Sequence, residues 1–372
     1  MRVTIERSAF LRSLNHVQSV VERRNTIPIL SNVLIHAADG AVRLTATDLD
    51  IEVVETVAAE LSREGAATAP AHVLYDIVRK LPEGSQLAIE HGPDEGRVSV
   101  LSGRSRFSLA ALPPQDFPDL AAGELSHKFT MPAADLKTLI EKTRFAISTE
   151  ETRYYLNGIY LHDVAVGGTA HIRAVATDGH RLAQVQFPCP EGAKGMPGII
   201  VPRKTVLELS KLIESAEGDV DVALSSSKIR FAIDGLTVTS KLIDGTFPDY
   251  ERVIPRHNDK TLQVDTKLFV QAVDRVSTVS SEKGRAVKLH VSADRILLTV
   301  NNPDAGSAED ELSASYSAAP LDIGFNSRYL LDIVGQFKGD TANFDFADAG
   351  SPTIIRDPAD GSALYVLMPM RV

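Results

Sequence analysis

One pattern recurs three times along the 372 residues: a short alternating strand, an amphipathic helix and a three-strand run, followed by the same plan again. That period is too long for a solenoid, so each copy reads as an α+β module. In the first copy Val3 to Ile5 alternates as a strand, and Phe10, Leu11, Leu14, Val17 and Val21 recur at helical spacing. Strands are expected at Asn32 to His36, Val42 to Thr47 and Ile51 to Val57, the first two joined by the turn Asp39-Gly40. Leu74, Ile77, Val78 and Leu81 mark a second helix, after which alternation returns at Leu87 to Glu90, Val98 to Leu101 and Phe107 to Ala111. The second copy opens at Phe129 to Met131, with helices near Ala133 to Arg144 and Arg203 to Glu214. The third opens at Leu262 to Val264, with helices near Lys267 to Thr278 and Asn326 to Lys338, and ends on a strand at Ala363 to Met368. Polar, proline-containing joins near Ala121 to Ser126 and Arg256 to Asp259 divide the chain into 1–125, 126–256 and 257–372. The expected fold is α+β, three modules of two helices packed on antiparallel sheets.

The repeat acts as an internal control. A feature shared by all copies is structural, and a feature of one copy alone is a candidate for function.

Net charge is -10 and the isoelectric point near 5.5, the wrong sign for a protein that grips phosphates with its whole surface. Yet the six helix windows sum to +7, leaving -17 for everything else. Arg12, Asn15, His16, Ser19 and Arg23 lie opposite the apolar stripe of the first helix, and Lys204, Glu208, Lys211 and Ser215 do the same in the second copy. If these weakly basic faces line a hole, six helices about 11 Å wide leave a bore of only about 10 Å. A duplex roughly 20 Å across needs twelve helices, hence two chains joined head to tail twice. No stretch reaches the roughly 18 apolar residues that span a bilayer, and Met1 to Phe10 reads as a strand rather than a signal peptide, so a cytoplasmic protein is expected. The single cysteine, Cys189, excludes a disulfide framework, and no cofactor or metal motif is present.

Four motifs then carry a resemblance: Arg153-Tyr154-Tyr155-Leu156-Asn157-Gly158, Thr177-Asp178-Gly179-His180-Arg181-Leu182, Phe247-Pro248-Asp249-Tyr250 and the tail Met368-Pro369-Met370-Arg371. With the threefold repeat, they make the whole chain resemble the bacterial DNA polymerase III beta subunits, the sliding clamps. The resemblance implies a non-enzymatic homodimeric ring on duplex DNA, independent of sequence. It would tether the polymerase III alpha subunit, the clamp loader and other proteins with a clamp-binding motif.

Thr47-Asp48, Thr177-Asp178 and Asn301-Asn302 share one strand-end position, so the internal control makes them turn formers. Phe117-Pro118-Asp119 and Phe247-Pro248-Asp249 likewise match between copies. What only the second copy and the tail possess gathers into an expected peptide pocket: Leu156, Thr177, Gly179, His180, Arg181, Leu182, Pro248, Arg252, Val253, Val366, Met368, Pro369, Met370 and Arg371. Apolar walls and two arginines would take a short segment with a glutamine, a spaced leucine and an aromatic residue. The resemblance also implies DNA contacts at Arg24, Tyr154 and Tyr155. Glu150 and His72-Val73 depart from the neutral or basic residues expected beside them. For ring closure, the basic Arg104-Ser105-Arg106-Phe107 faces the acidic Glu309-Asp310-Glu311, with Phe107 expected near Thr278 and Val279 of the other chain.

Two other classes compete. An enzyme would use Asp178 with His180, or His162, His171 and His180 around a metal, but no Gly-x-Ser-x-Gly, His-Glu-x-x-His or P-loop accompanies them. A monomeric scaffold without DNA binding would be told apart by its mass in solution.

Overall fold

The structure, a computed structural model, describes residues 1–92, 96–120, 123–280 and 285–371. Part of the expected join at Ala121 to Ser126 therefore lies outside the described residues.

Among the described residues six α-helices form where the 3.6-residue spacing places them: α1 Arg7–Gln18, α2 Ala71–Lys80, α3 Ala133–Glu141, α4 Arg203–Leu212, α5 Thr266–Ser277 and α6 Ser327–Val334. Each follows directly on a strand. Glu6, Asp265 and Asn326 cap α1, α5 and α6 by accepting from first-turn amides, while Pro70, Pro132 and Pro202 end the strands before the other three. The buried stripes are those the spacing marked, among them Phe10, Leu14 and Val17 on α1 and Phe269, Val273 and Val276 on α5. Each such side chain contributes about 1.5–3 kcal/mol by leaving water.

α1 and α4 stop two or three residues short of their expected ends, and α3 and α6 stop three or four short. After α3, Thr143 turns its hydroxyl back onto the Leu139 carbonyl at 2.5 Å, and the chain tightens into a short turn at Arg144–Ala146. After α6, the chain runs on from Gly335 in tight turns, with Gln336 bonding Ile333 and Phe337 bonding Val334. The strand Glu60–Arg63, which sequence patterning did not single out, follows Ile51–Ala58 almost without a break and pairs with Arg2–Glu6.

The chain packs as two compact units, each of which takes part of the second copy: Met1–Lys137 with Pro190–Ala193 and Lys204–Leu242, and Thr138–Cys189 with Lys194–Arg203 and Ile243–Val372. The sheets explain the partition. In the first unit Ile51–Ala58 of the first copy pairs with Leu236–Lys241 of the second, which fuses strands from two copies into one eight-stranded sheet. In the second unit Arg181–Pro188 pairs with Ala363–Leu367 inside a twelve-stranded sheet. The remaining five-stranded sheet of the first unit ends at Ser105–Ala110.

Candidate partner-peptide site

The turn after Thr169–Thr177 is built from its own side chains. Thr177 Oγ1 donates to the Arg181 carbonyl at 2.7 Å and accepts from the Gly179 amide at 3.1 Å, while Asp178 Oδ1 accepts from the His180 and Arg181 amides. Thr47 and Asp48 make the same four bonds in the first copy, and Asn302 caps its turn through the Asp304 amide. The shared residues are structural. The residues around them differ: Leu49, at φ +80°, stands where the second copy has Gly179, and Glu52, a carboxyl pushed up by burial, stands where it has Leu182. Gly179 itself has φ +89°, and a Cβ there would lie 2.6 Å from Arg153 Nη1.

Around this turn the second unit encloses an apolar cavity of about 240 Å³. Ten of the fourteen expected residues line it: Leu156, Thr177, Gly179, His180, Arg181 and Leu182 on one side, Pro248 and Val253 on another, Val366 and Met368 on the last strand and just beyond. Asp249 also lines it, although the Phe-Pro-Asp triplet matched between copies and read as a structural end to the module, and so does Tyr250, which follows that triplet. Beneath lies a core of Leu156, Val175, Leu182, Ile200, Phe247, Tyr250 and Val366.

Four expected residues are elsewhere. Arg252 points to solvent, its Nε donating to Asp249 Oδ2 at 2.7 Å. Pro369, Met370 and Arg371 turn away with the chain and line a separate cavity beside Leu321–Asn326, where the Met370 amide bonds the Gly324 carbonyl at 2.8 Å. The two arginines also differ from expectation, because Arg181 is buried and spends its guanidinium on the protein itself. It donates to Asp178 Oδ2 (3.2 Å), Asp332 Oδ2 (2.6 Å) and the Phe145 carbonyl (2.5 Å), between the rings of Phe145 and Tyr329. Its place at the cavity is therefore as a wall, with its charge already matched.

A polar relay fixes the floor. Arg173 Nη1 donates to the Tyr250 hydroxyl at 2.8 Å, so that hydroxyl donates onward to His162 Nε2 at 3.0 Å, and His162 Nδ1 donates to the Asp163 carbonyl at 2.8 Å. Burial pushes the His162 pKa below the usual histidine value. The ring stacks on Tyr160, which stacks on Phe247. The three histidines weighed as metal ligands are each engaged separately: His162 here, His171 with the Thr169 carbonyl, and His180 against the Tyr329 ring.

Of the expected DNA contacts, Arg24 is exposed beyond α1, Tyr154 is exposed with its ring edge-on to Tyr155, and Tyr155 packs on the cavity's core. Glu150 forms an ion pair with Arg153, whose hydrogen bond holds the carboxyl below its usual range. His72 ties α2 to the end of α1 through Gln18 and the Val21 carbonyl. The basic helix faces are partly neutralised by the chain's own carboxylates, Lys204 by Glu22 and Asp48, Lys211 by Glu208 and Arg79 by Asp76.

Of the expected closure residues, Arg104, Arg106 and Phe107 lie at the open edge strand Ser105–Ala110. Glu309 and Glu311 lie on Gly306–Ser315, which pairs along one side with Arg295–Asn302 and on the other only at Ala314 and Ser315. Thr278 and Val279 follow α5, which packs on that strand, and Asn302 holds the Val279 carbonyl at 2.9 Å. Arg275 pairs with Asp310, and Arg295 with Glu311, so part of the acidic charge is already offset.

Among known proteins, the N-terminal, central and C-terminal domains of the DNA polymerase III beta subunit match residues 1–121, 130–249 and 251–371. The chain is 54% identical over 372 residues to the beta sliding clamp of Caulobacter vibrioides, covering 100% of both. A DnaN sliding clamp from Bartonella birtlesii, solved bound to griselimycin, superposes with a TM-score of 0.97 at 55% identity over 100% of each chain. A Caulobacter crescentus beta sliding clamp gives a TM-score of 0.98 at 54% identity, covering 100% of this chain and 99% of that one. With full-length identity at this level and all three domains matched in order, the chain belongs to the DNA polymerase III beta-subunit family, the sliding clamps that hold the polymerase on DNA and have no catalytic site of their own.

Proposed function

We propose that two copies of this chain close head to tail into a cytoplasmic ring around duplex DNA, with Arg24, Tyr154 and Tyr155 touching the strands. Each copy contributes three domains, 1–125, 126–256 and 257–372. The polymerase III alpha subunit, the clamp loader and other partners insert clamp-binding peptides into the cavity between Leu156 and Met368.

One observation carries the closure: the two junctions inside the chain use the same register. Counting across each sheet from the fourth residue before a helix makes Val3, Phe129 and Leu262 equivalent, and leads through the ladders to Phe107, Val238 and Tyr365. The same count from Ala67, Ile199 and Ile323 leads to Glu55, Val185 and Asp310. The first junction sets Glu55 opposite Leu236, and the second sets Val185 opposite Ala363, each two residues before its counterpart of Phe107. The backbone bonds Thr56 to Gly235 and Gln186 to Ser362 extend the two ladders in the same way.

Among the described residues, two strands of this type lack their junction partner, Ser105–Ala110 and Gly306–Ser315. Applied to them, the register sets Asp310 opposite Ser105 of a second chain, Ala308 opposite Phe107, Glu309 opposite Arg106 and Glu311 opposite Arg104. The charges fall opposite each other without being asked to, and a cross-strand pair of opposite charge contributes about 0.2–1 kcal/mol.

By the alternation of bonded pairs, Ser105 and Asp310 form a close pair with Cα atoms about 4.5 Å apart, within disulfide range. In a Cys189→Ser background, Ser105→Cys with Asp310→Cys is expected to give a covalent dimer on oxidation. Ser105→Cys with Glu309→Cys, whose side chains leave opposite faces, is expected to stay uncrosslinked. Crosslinking of the second pair in preference to the first, or a monomeric mass at micromolar concentration, would sink the reading.

A further inference from the structure

In each copy the chain leaves its last strand and bonds back to an edge strand of the same copy. The register that relates Phe107, Val238 and Tyr365 also makes Leu112, Ile243 and Met370 equivalent, and with them Thr68, Ile200 and Gly324. The Ile243 and Met370 amides donate to the Ile200 and Gly324 carbonyls at 3.0 and 2.8 Å, and the Leu112 amide donates to Thr68 Oγ1 at 2.9 Å. What comes next differs. Phe117-Pro118-Asp119 follows Leu112 after four residues and Phe247-Pro248-Asp249 follows Ile243 after three, whereas residues 257–372 contain no such triplet.

In the second copy Phe247 lies flat on Tyr160, ring centres 4.8 Å apart, and Tyr160 is the residue paired with Ile200. The third copy has Lys288 at that position, paired with Gly324. Here a cavity of about 620 Å³ opens, with Lys288, Asp322, Gly324, Gly350, Met370 and Arg371 in its wall. We propose that this cavity seats an extended segment of a partner protein in which an aromatic ring is followed within two residues by a carboxylate. Such a segment takes the part that Phe247-Pro248-Asp249 plays in the second copy. The seat lies wholly within the second unit, and it requires neither ring closure nor the cavity between Leu156 and Met368.

Size and charge both select that occupant. The volume is that of a small-ligand site, enough for one ring and the backbone on either side of it. A lysine where the second copy has Tyr160 still gives a ring its floor, through the methylene stem and a cation at the ring face. The carboxylate in the wall is already engaged: Asp322 Oδ2 meets Lys288 Nζ at 2.8 Å, and Oδ1 meets His290 Nδ1 at 2.5 Å. With Arg371 included, the cations of the wall outnumber its carboxylates. In the second copy the arginine that meets the triplet's carboxylate is Arg252, three residues on from Asp249. In the third copy the wall carries the arginine, so the incoming segment supplies the carboxylate, and a purely apolar segment would leave that charge unmatched.

The test titrates the full chain with a fluorescent, end-capped peptide of this protein's own residues 244–251, Asp-Gly-Thr-Phe-Pro-Asp-Tyr-Glu, followed by polarisation. Arg371→Glu and, separately, Lys288→Ala are expected to weaken binding about tenfold or more without lowering the melting temperature. The peptide carrying Phe247→Ala should bind wild type about tenfold more weakly. A clamp-binding peptide at saturation should leave the probe in place. If that peptide displaces the probe while both variants bind it as wild type does, the probe sits in the cavity between Leu156 and Met368 and the seat is overturned. Loss on Arg371→Glu with undiminished binding of the Phe247→Ala peptide reduces the contact to charge and overturns the aromatic seat. A wild type that shows no saturable binding at millimolar peptide overturns it as well. Failure of the clamp-binding peptide itself to bind counts against the proposed function and leaves the seat standing on the two variants.

Discussion

Replacing Arg181 by methionine keeps most of the stem's volume but leaves the Asp178 and Asp332 carboxylates and the Phe145 carbonyl without their donor. It also removes the cation held 4.2 Å from the Tyr329 ring centre and 5.0 Å from that of Phe145. Breaking a buried ion pair from one side costs about 3–5 kcal/mol, because the remaining charge stays desolvated. The Asp332 side chain is 31% exposed and partly rehydrates, which favours the lower end, about 3 kcal/mol. For a body of this size each kcal/mol moves the midpoint by about 2–4 °C, so the transition involving the second unit should fall by roughly 6–12 °C. Arg181→Lys should recover little, since one ammonium cannot reach three acceptors that a planar fork serves in three directions. Calorimetric melting of both variants, with peptide binding measured well below the transition, separates the two roles open to this residue. If the guanidinium instead reached into the cavity for a partner, binding would vanish while melting stayed put. A midpoint within about 2 °C of wild type for both variants would refute the structural role of the guanidinium.

Two further outcomes follow from the same cavity. His162 is held neutral by burial, with a folded pKa below the ordinary value near 6.5. Above that pH it is neutral in both states and contributes no slope; below it the unfolded chain takes up a proton that the folded chain refuses, so stability falls as pH drops towards the folded pKa. His162→Gln should flatten the loss of melting temperature between pH 6.5 and 5, and an equally steep loss in the variant would show that another group titrates there. Removing Met368 to Val372 deletes one cavity wall and the bonds from Met368 to the His180 carbonyl and from Met370 to the Gly324 carbonyl, each worth about 0.5–1.5 kcal/mol. The truncated chain should stay folded with a slightly lowered midpoint and lose most affinity for a partner peptide, whereas Met370→Ala should bind nearly as well as wild type. Undiminished binding by the folded truncation would place the peptide elsewhere.

The repeat, the six helices and most strands of the first copy were legible in the sequence, because helical and strand periods are local and a buried stripe shows itself within a few residues, as Phe10, Leu14 and Val17 do. The turn at Thr177 was legible for the same reason: each of its bonds spans four residues or fewer, and Thr47-Asp48 repeats it. The strand Glu60–Arg63 escaped because no turn residue separates it from the strand before. Tertiary structure alone decided where the charges went. Arg181 reads as one of two arginines available to a ligand, but its partner Asp332 is 151 residues away, and only the folded chain turns the guanidinium inward. Lys204 reads as part of a basic face until Asp48, 156 residues before it, arrives to neutralise it. The tail reads as a single wall, yet it divides after Met368 because the edge of Leu321–Asn326 offers the Met370 amide a carbonyl. Periodicity records which side of an element is dry. It carries no information about which distant backbone or carboxylate waits on the other side, and that assignment sets both the walls of the cavity and the register of the junctions.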